Sequence, residues 1–419
     1  MSTTFNTTNV ASPIESEVRS YSRIWPEVFE RAKGSAVWSD KREFLDFFSA
    51  AGSLNYGHND PDAQAALTDY IGRDGILQAL DMQTVQRQQF LSALEARILQ
   101  PRQLHGYRVM FTGPTGTNAI EAALKCARLS TGRTEVVSFL RGFHGVSLGS
   151  LSASSNASKR RAAGVPLRDV SRFPFDIERL SARESIEWFE RIHFRGRPSS
   201  EFPACVLMEL VQGEGGVNVA GMDWAQGIAA TCRRYDVPLV VDEIQTGCGR
   251  TGPFFAFEDY EVKPDIIAVS KSLSGLGLPL SVVLLRPDLD MTTPGQHNGT
   301  FRGNNAAFVT ATTCLEKFWT DDKLSQQTRR KSDMVHSILA DAGVSDTYAV
   351  RGRGLVIGID VASGALARRA AELCFERGLL VETAGTDDQV VKLLPPLTTS
   401  DSDLARGVEV VAEILLDLR

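Results

Sequence analysis

The chain has 419 residues, of which 43% are hydrophobic and 23% charged, and a formal net charge of −6. That length exceeds one simple core and predicts two or three domains of ordinary globular composition. The acidic balance, with no basic run longer than Lys159-Arg160-Arg161, argues against nucleic acid as a partner, and no 18-residue apolar run is available to span a membrane.

Residues 1–14 are rich in Ser, Thr and Asn and read as a disordered tail without the apolar stretch of a secretory leader. Cys126, Cys205, Cys232, Cys248, Cys314 and Cys374 are scattered and form no CxxC pair. That pattern fits reduced cysteine better than a disulfide frame or a zinc site, and so a cytoplasmic protein. The stretch 36–48, AVWSDKREFLDFF, has two apolar arms about Ser39-Asp40-Lys41 and predicts a hairpin. Helices are predicted over 62–72 and 84–99. In the second, Phe90, Leu91, Leu94 and Ile98 recur at helical spacing.

A strand ending at 109–111 is followed by GPTGTNAIEAALKCARLSTGR, where Ile120, Ala123, Leu124 and Ala127 form one helical face. A Gly- and hydroxyl-rich turn at a helix N-terminus is suited to a phosphate. An ordinary cap made by Thr117 or Asn118 would leave the same trace. A strand over 135–138 leads to FLRGFHGVSLGSL, in which the aromatic before His-Gly is either local packing or a stacking platform. His144 has no second His at ligand spacing, so a metal is rejected. Residues 152–200 read as loops and an amphipathic helix. A strand over 203–210 runs into VQGEGGVNV, which brings Glu209 and Glu214 to its end.

After a helix over 223–234, two apolar runs at 238–241 and 266–269 have the brevity and Val/Ile content of buried strands. The first delivers Asp242, Glu243 and Gln245, and the second Lys271. Ligands of open α/β sheets sit at the C-terminal ends of strands, so these side chains are predicted to share a cleft. Each alone is ambiguous: a lysine there is usually solvated, and Asp-Glu could hold Mg²⁺. Together they support one chemistry. A lysine amine of lowered pKa can bond to a carbonyl cofactor, and a buried carboxylate can keep a pyridinium nitrogen protonated. GCGRTG matches G-x-G-x-x-G formally, but EIQ separates it from the strand and no amphipathic helix follows, so a nicotinamide site is rejected.

DEIQTGCGRTG followed by PDIIAVSKSLSGLGLP resembles the signature of the class III, fold type I, pyridoxal-phosphate aminotransferases. KSLSGLGLP, HNGTFRGNN and VVKLLPPLT resemble the ectoine-type diaminobutyrate:2-oxoglutarate aminotransferases within that class. The resemblance runs from about Glu15 to the C-terminus. It implies an α/β fold with a large domain built on a mostly parallel seven-stranded sheet and a small α/β domain built from both termini. The divisions expected are a tail at 1–14, the first part of the small domain at 15–60, the large domain at 61–320 and the rest of the small domain at 321–419.

The resemblance also assigns roles. Lys271 would carry pyridoxal 5′-phosphate and Asp242 would hold its ring nitrogen. Gln245 would bond the ring hydroxyl, Phe143 would stack on the ring and His144 would line the pocket. Gly116 and Thr117 would take the phosphate, and Thr300 would reach the phosphate of the neighbouring subunit, which implies a homodimer or larger assembly. Glu214 would form a gate with a basic residue near the C-terminus. The commoner class III residue there is arginine, but this chain has Lys392, which lacks the bidentate fork; the ectoine-type enzymes share the lysine. Where ornithine-type relatives carry tyrosine, this chain has Ala51, which speaks against ornithine. The implied reaction is ping-pong transfer of an amino group from glutamate to aspartate 4-semialdehyde. Another ω-aminotransferase acting on ornithine, acetylornithine, 4-aminobutyrate or a secondary-metabolism amine would use the same core motifs, as would an aminomutase or racemase. A binding module would not need both Lys271 and Asp242.

The remaining elements predicted are a loop over 297–305 entering a helix over 306–319, helices over 323–341, 364–377 and 401–417, and a strand over 351–360.

Overall fold

The computed structural model describes residues 14–176 and 180–419; of the predicted tail at 1–14, residues 1–13 lie outside the described residues. The large sheet has seven strands in the order Arg108–Phe111, Val282–Leu285, Ile266–Val269, Leu239–Asp242, Cys205–Met208, Val136–Phe139, Val170–Phe173. Val282–Leu285 runs antiparallel to both neighbours, and the remaining pairings are parallel. Its strands are apolar at nearly every position because both faces are covered. Cys205, Leu207, Val240, Ile266 and Ala268 pack with Ile120, Ala123 and Ala127 of the helix Gly116–Thr131. The alternate residues Val206, Met208, Val241, Ile267 and Val269 pack on the other side with Trp224 and Ile228 of the helix Met222–Arg234.

The predicted hairpin is present as Ala36–Ser39 paired antiparallel with Glu43–Asp46. It belongs to a four-stranded sheet that Phe29–Lys33 and Leu379–Leu380 complete, so the two ends of the chain meet in one layer. The predicted helix over 84–99 is α-helical over Val85–Leu94 and then widens into a π turn, Glu95–Leu99. Helices Lys323–Asp341, Gly364–Glu376 and Asp401–Asp417 fall where the periodicity places them.

Three expectations need correction. The single strand over 351–360 is a hairpin, Ala349–Arg353 with Val356–Asp360, which turns at Gly354 where φ is +59°. The stretch 152–200, read without a strand, contributes the edge strand Val170–Phe173; its half-polar sequence reflects that edge position. The loop 297–305 includes a 3-10 turn, Thr300–Gly303. All six cysteines are free and buried.

Candidate active site

The strand ends of the large sheet converge as the sequence predicts, except that Glu243 is fully buried away from the cleft, where it accepts the Thr246 hydroxyl and the Phe257 N–H. Asp242 closes Leu239–Asp242, and Lys271 follows Ile266–Val269 by two residues. Glu209 follows Cys205–Met208, and Phe143 and His144 come from the loop after Val136–Phe139. The backbone at Lys271 is left-handed, with φ +48°, which turns its side chain out of the strand direction. Its Nζ donates to the carbonyl oxygen of Ala51 at 2.7 Å. Burial holds the amine below its ordinary pKa, and the nearby charge of Glu214 only partly offsets that.

Asp242 is buried, and its Oδ2 lies 2.8 Å from His144 Nδ1 while Oδ1 accepts the Ile244 N–H at 3.0 Å. His144 is therefore a partner of the aspartate as well as a buried residue near the pocket. Burial alone would lower the imidazole pKa, but the Asp242 hydrogen bond and charge, with the charge of Glu209, more than reverse it, so the net shift is upward. Glu209 sits beneath this pair and accepts the Phe143 N–H at 2.9 Å. Burial raises its own pKa.

Phe143 is half-buried, and the Lys159 ammonium stands 4.5 Å from its ring centroid. Gln245 donates through Nε2 to Ala51 O at 3.1 Å and to Glu214 Oε1 at 3.4 Å. Its Oε1 is buried and accepts nothing, so an acceptor is left over in the middle of the site.

At the start of Gly116–Thr131, Thr115 and Asn118 form a capping box, and Thr117 Oγ1 meets Ser147 Oγ at 2.6 Å and Ser150 Oγ at 2.5 Å. Thr115 is the N-cap residue in place of Thr117, and Asn118 Oδ1 accepts its N–H at 3.4 Å and its hydroxyl at 2.8 Å. Gly116 packs so close to Ile244 that an added Cβ would lie 2.9 Å from it, and a Cβ on Gly145 would strike Thr117 Oγ1. Thr300 lies exposed; the neighbouring Gly299 faces Gly113 of the Gly-rich turn.

Lys392 lies in the strand Val390–Leu393 and has no exposed side-chain surface. Its Nζ is 2.6 Å from Glu214 Oε1 and 2.9 Å from Glu382 Oε1. The Lys392 charge overcomes the burial of Glu214 and pulls that carboxyl down to about 2. Sequence reasoning finds the Glu214–Lys392 pair and places Glu209 at its strand end without a role, but misses Glu382, the place of Lys159 over Phe143 and the Ala51 carbonyl. Glu382 leaves one trace: it is a charge inside the apolar run LLVET, as Lys392 is inside VVKLL.

A profile of the aminotransferase class III family matches residues 19–415. The chain belongs to that family. Among class III relatives, the diaminobutyrate--2-oxoglutarate transaminases of Nocardia farcinica and Streptomyces coelicolor are each 49% identical over 96% of this chain, and the matches cover 93% and 96% of those proteins. An uncharacterized aminotransferase of Sinorhizobium fredii, y4qG, is 46% identical over 95% of this chain and 90% of its own. The ornithine aminotransferase from Toxoplasma gondii has the same fold, with a TM-score of 0.82 at 28% identity over 94% of this chain and 91% of that one. A Bacillus anthracis aminotransferase overlays with a TM-score of 0.86 at 23% identity, over 96% of both chains.

The cofactor of class III aminotransferases is pyridoxal 5′-phosphate, and the residues present fit it. A lysine of lowered pKa stands near a buried carboxylate, and Gln245 Oε1 is a buried acceptor with no donor among the described residues, as a carbonyl cofactor with a ring hydroxyl requires.

Proposed function

We propose that this chain makes L-2,4-diaminobutyrate from L-aspartate 4-semialdehyde, with glutamate as amino donor and 2-oxoglutarate as coproduct. The relatives named as diaminobutyrate--2-oxoglutarate transaminases support the substrate pair. The observation that carries the reading is the Lys392–Glu214 ion pair at a site centred on Lys271. Glutamate brings a carboxylate on its reacting carbon and needs a cation there. Diaminobutyrate reacts at a carbon with no carboxylate and needs that cation neutralised. Glu214 meets both demands by moving on or off Lys392.

Pyridoxal 5′-phosphate, when bound, supplies the carbonyl and a ring that draws electron density from the reacting carbon. Gly116 and Thr117 would hold its phosphate and Phe143 a face of its ring. Asp242, fixed by its hydrogen bond with His144, would hold the proton on the ring nitrogen, and Gln245 Oε1 would accept from the ring hydroxyl. The Lys271 amine takes the proton from the donor Cα and, in the second half-reaction, supplies one to the acceptor C4. Its lowered pKa lets it be neutral base and charged acid in turn.

Thr300 would complete the phosphate site of a second copy, so the working form is a homodimer or larger. The segments 15–60 and 321–419 would make up the small domain around the large domain at 61–320. The product suits ectoine formation, in the cytoplasm. Among the described residues no helix is long and apolar enough to cross a membrane. The test is a donor screen with added cofactor: diaminobutyrate, ornithine and 4-aminobutyrate, each with 2-oxoglutarate. Strong preference for diaminobutyrate supports the reading. Preference for another amine replaces the substrate, and turnover without a keto acid replaces the reaction with a mutase or racemase.

A further inference from the structure

The ammonium of Lys392 serves two carboxylates, and they are not equivalent. Glu382 stands directly opposite Lys392 in the antiparallel register of Glu382–Ala384 with Val390–Leu393, so backbone pairing fixes it there. It is 1% exposed and accepts the Tyr21 hydroxyl at 3.0 Å. Glu214 comes from a separate turn, and its side chain keeps 23% of its exposure at a cleft of about 580 Å³ that Tyr21, Phe143 and Lys159 also line. When Glu214 leaves, Glu382 stays. Burial raises the pKa of the Glu382 carboxyl, and the Lys392 charge draws it back. The field of Glu382 reaches Lys271, where it favours the ammonium form.

We propose that Glu382 is a specificity-determining positioning residue that gives the Glu214–Lys392–Glu382 cluster a formal charge of −1 and so tilts the site toward the diamine and away from the dicarboxylate. The inference rests on the substrate pair proposed above. At neutral pH diaminobutyrate carries two ammonium groups and one carboxylate, while glutamate carries the reverse. A fixed buried anion attracts the first and repels the second. It also offsets the pull of Lys392 on any substrate carboxylate, which speeds loss of the doubly charged 2-oxoglutarate.

Glu382→Gln tests this with three readings: KM for diaminobutyrate, KM for glutamate, and calorimetric binding of glutarate, a dicarboxylate without an amine, to the cofactor-loaded protein. The expected result is a rise in the first and a fall in the second, each by about threefold or more for one charge in a protein-like dielectric, with glutarate bound more tightly. A merely structural role would weaken both amines together. Tyr21→Phe, which removes the hydroxyl donor to Glu382 Oε2, should move the same readings in the same direction but less, and it decides the matter if Glu382→Gln does not fold. Movement of both KM values in one direction, or no movement in either folded variant, overturns the proposal. If the wild-type protein does not use diaminobutyrate, the substrate reading fails, and glutarate affinity still decides whether Glu382 sets the charge.

Discussion

A lysine taken out of water holds its proton weakly, and Lys271 is placed in that condition with the Ala51 carbonyl as its hydrogen-bond acceptor. Lys271→Ala should therefore abolish turnover and remove the long-wavelength absorption of the loaded enzyme near ~420 nm, the position usual for this cofactor bound to lysine. Retained turnover would remove Lys271 from its role. The Asp242–His144 pair has a pH signature of its own. The folded pKa of His144 is raised above its ordinary 6.5, so its stabilising contribution is complete below 6.5 and is lost as pH rises through the raised value. In the cofactor-free protein, unfolding free energy should fall as pH rises above the ordinary 6.5 of the imidazole, and His144→Phe should flatten that fall. An equal fall in the variant would contradict the assignment. Lys271, Asp242 and Gln245 are readable from strand-end position and chemistry. The His144–Asp242 bond is not, because 98 residues separate its partners and only the folded loop brings them together.

At the scale of elements, the unexpected feature is the turn Ser49–Gly52. Its φ values are +48°, +48°, +57° and +79°, so it is a single turn of left-handed helix made largely from L-residues. Such a turn costs roughly 1–2 kcal/mol for each non-glycine residue. It persists because it is pinned: Asp46 Oδ1 accepts the N–H groups of Phe48 and Ser49 at 2.8 Å, Ser49 Oγ donates to Leu394 O at 2.6 Å, and Gly52 O accepts the Ser272 hydroxyl at 3.0 Å. The result is that Ala51 O faces both Lys271 and Gln245. Ala50→Gly should raise stability by about 1 kcal/mol in denaturant unfolding, by removing the Cβ penalty. Loss of stability there would show that the turn is not left-handed in solution. Ser-Ala-Ala carries no left-handed signal, so this element is invisible to propensity. The helices Lys323–Asp341 and Asp401–Asp417 are legible because their apolar stripe persists over several turns. The strand Val170–Phe173 has four residues and two polar ones, too little pattern to read.

Across the whole molecule, the site depends on distant parts of the chain being fixed against one another. Arg250 does much of this. It is fully buried and donates to Asn55 Oδ1, to Leu355 O at 2.9 Å and to Pro395 O at 2.6 Å. Asn55 in turn donates to Gly247 O and Cys248 O. One side chain thus ties the segment carrying Ala51, the loop after Asp242 and the strand end after Lys392. The ping-pong account requires that this one assembled site work on each substrate alone. The direct measurement is a single-turnover experiment on the cofactor-loaded protein, mixed separately with glutamate and with diaminobutyrate and no acceptor. The account predicts a spectral change with both, and about one equivalent of 2-oxoglutarate released per site from glutamate, as covalent two-step transfer demands. No change with either amine until an acceptor is added would contradict it.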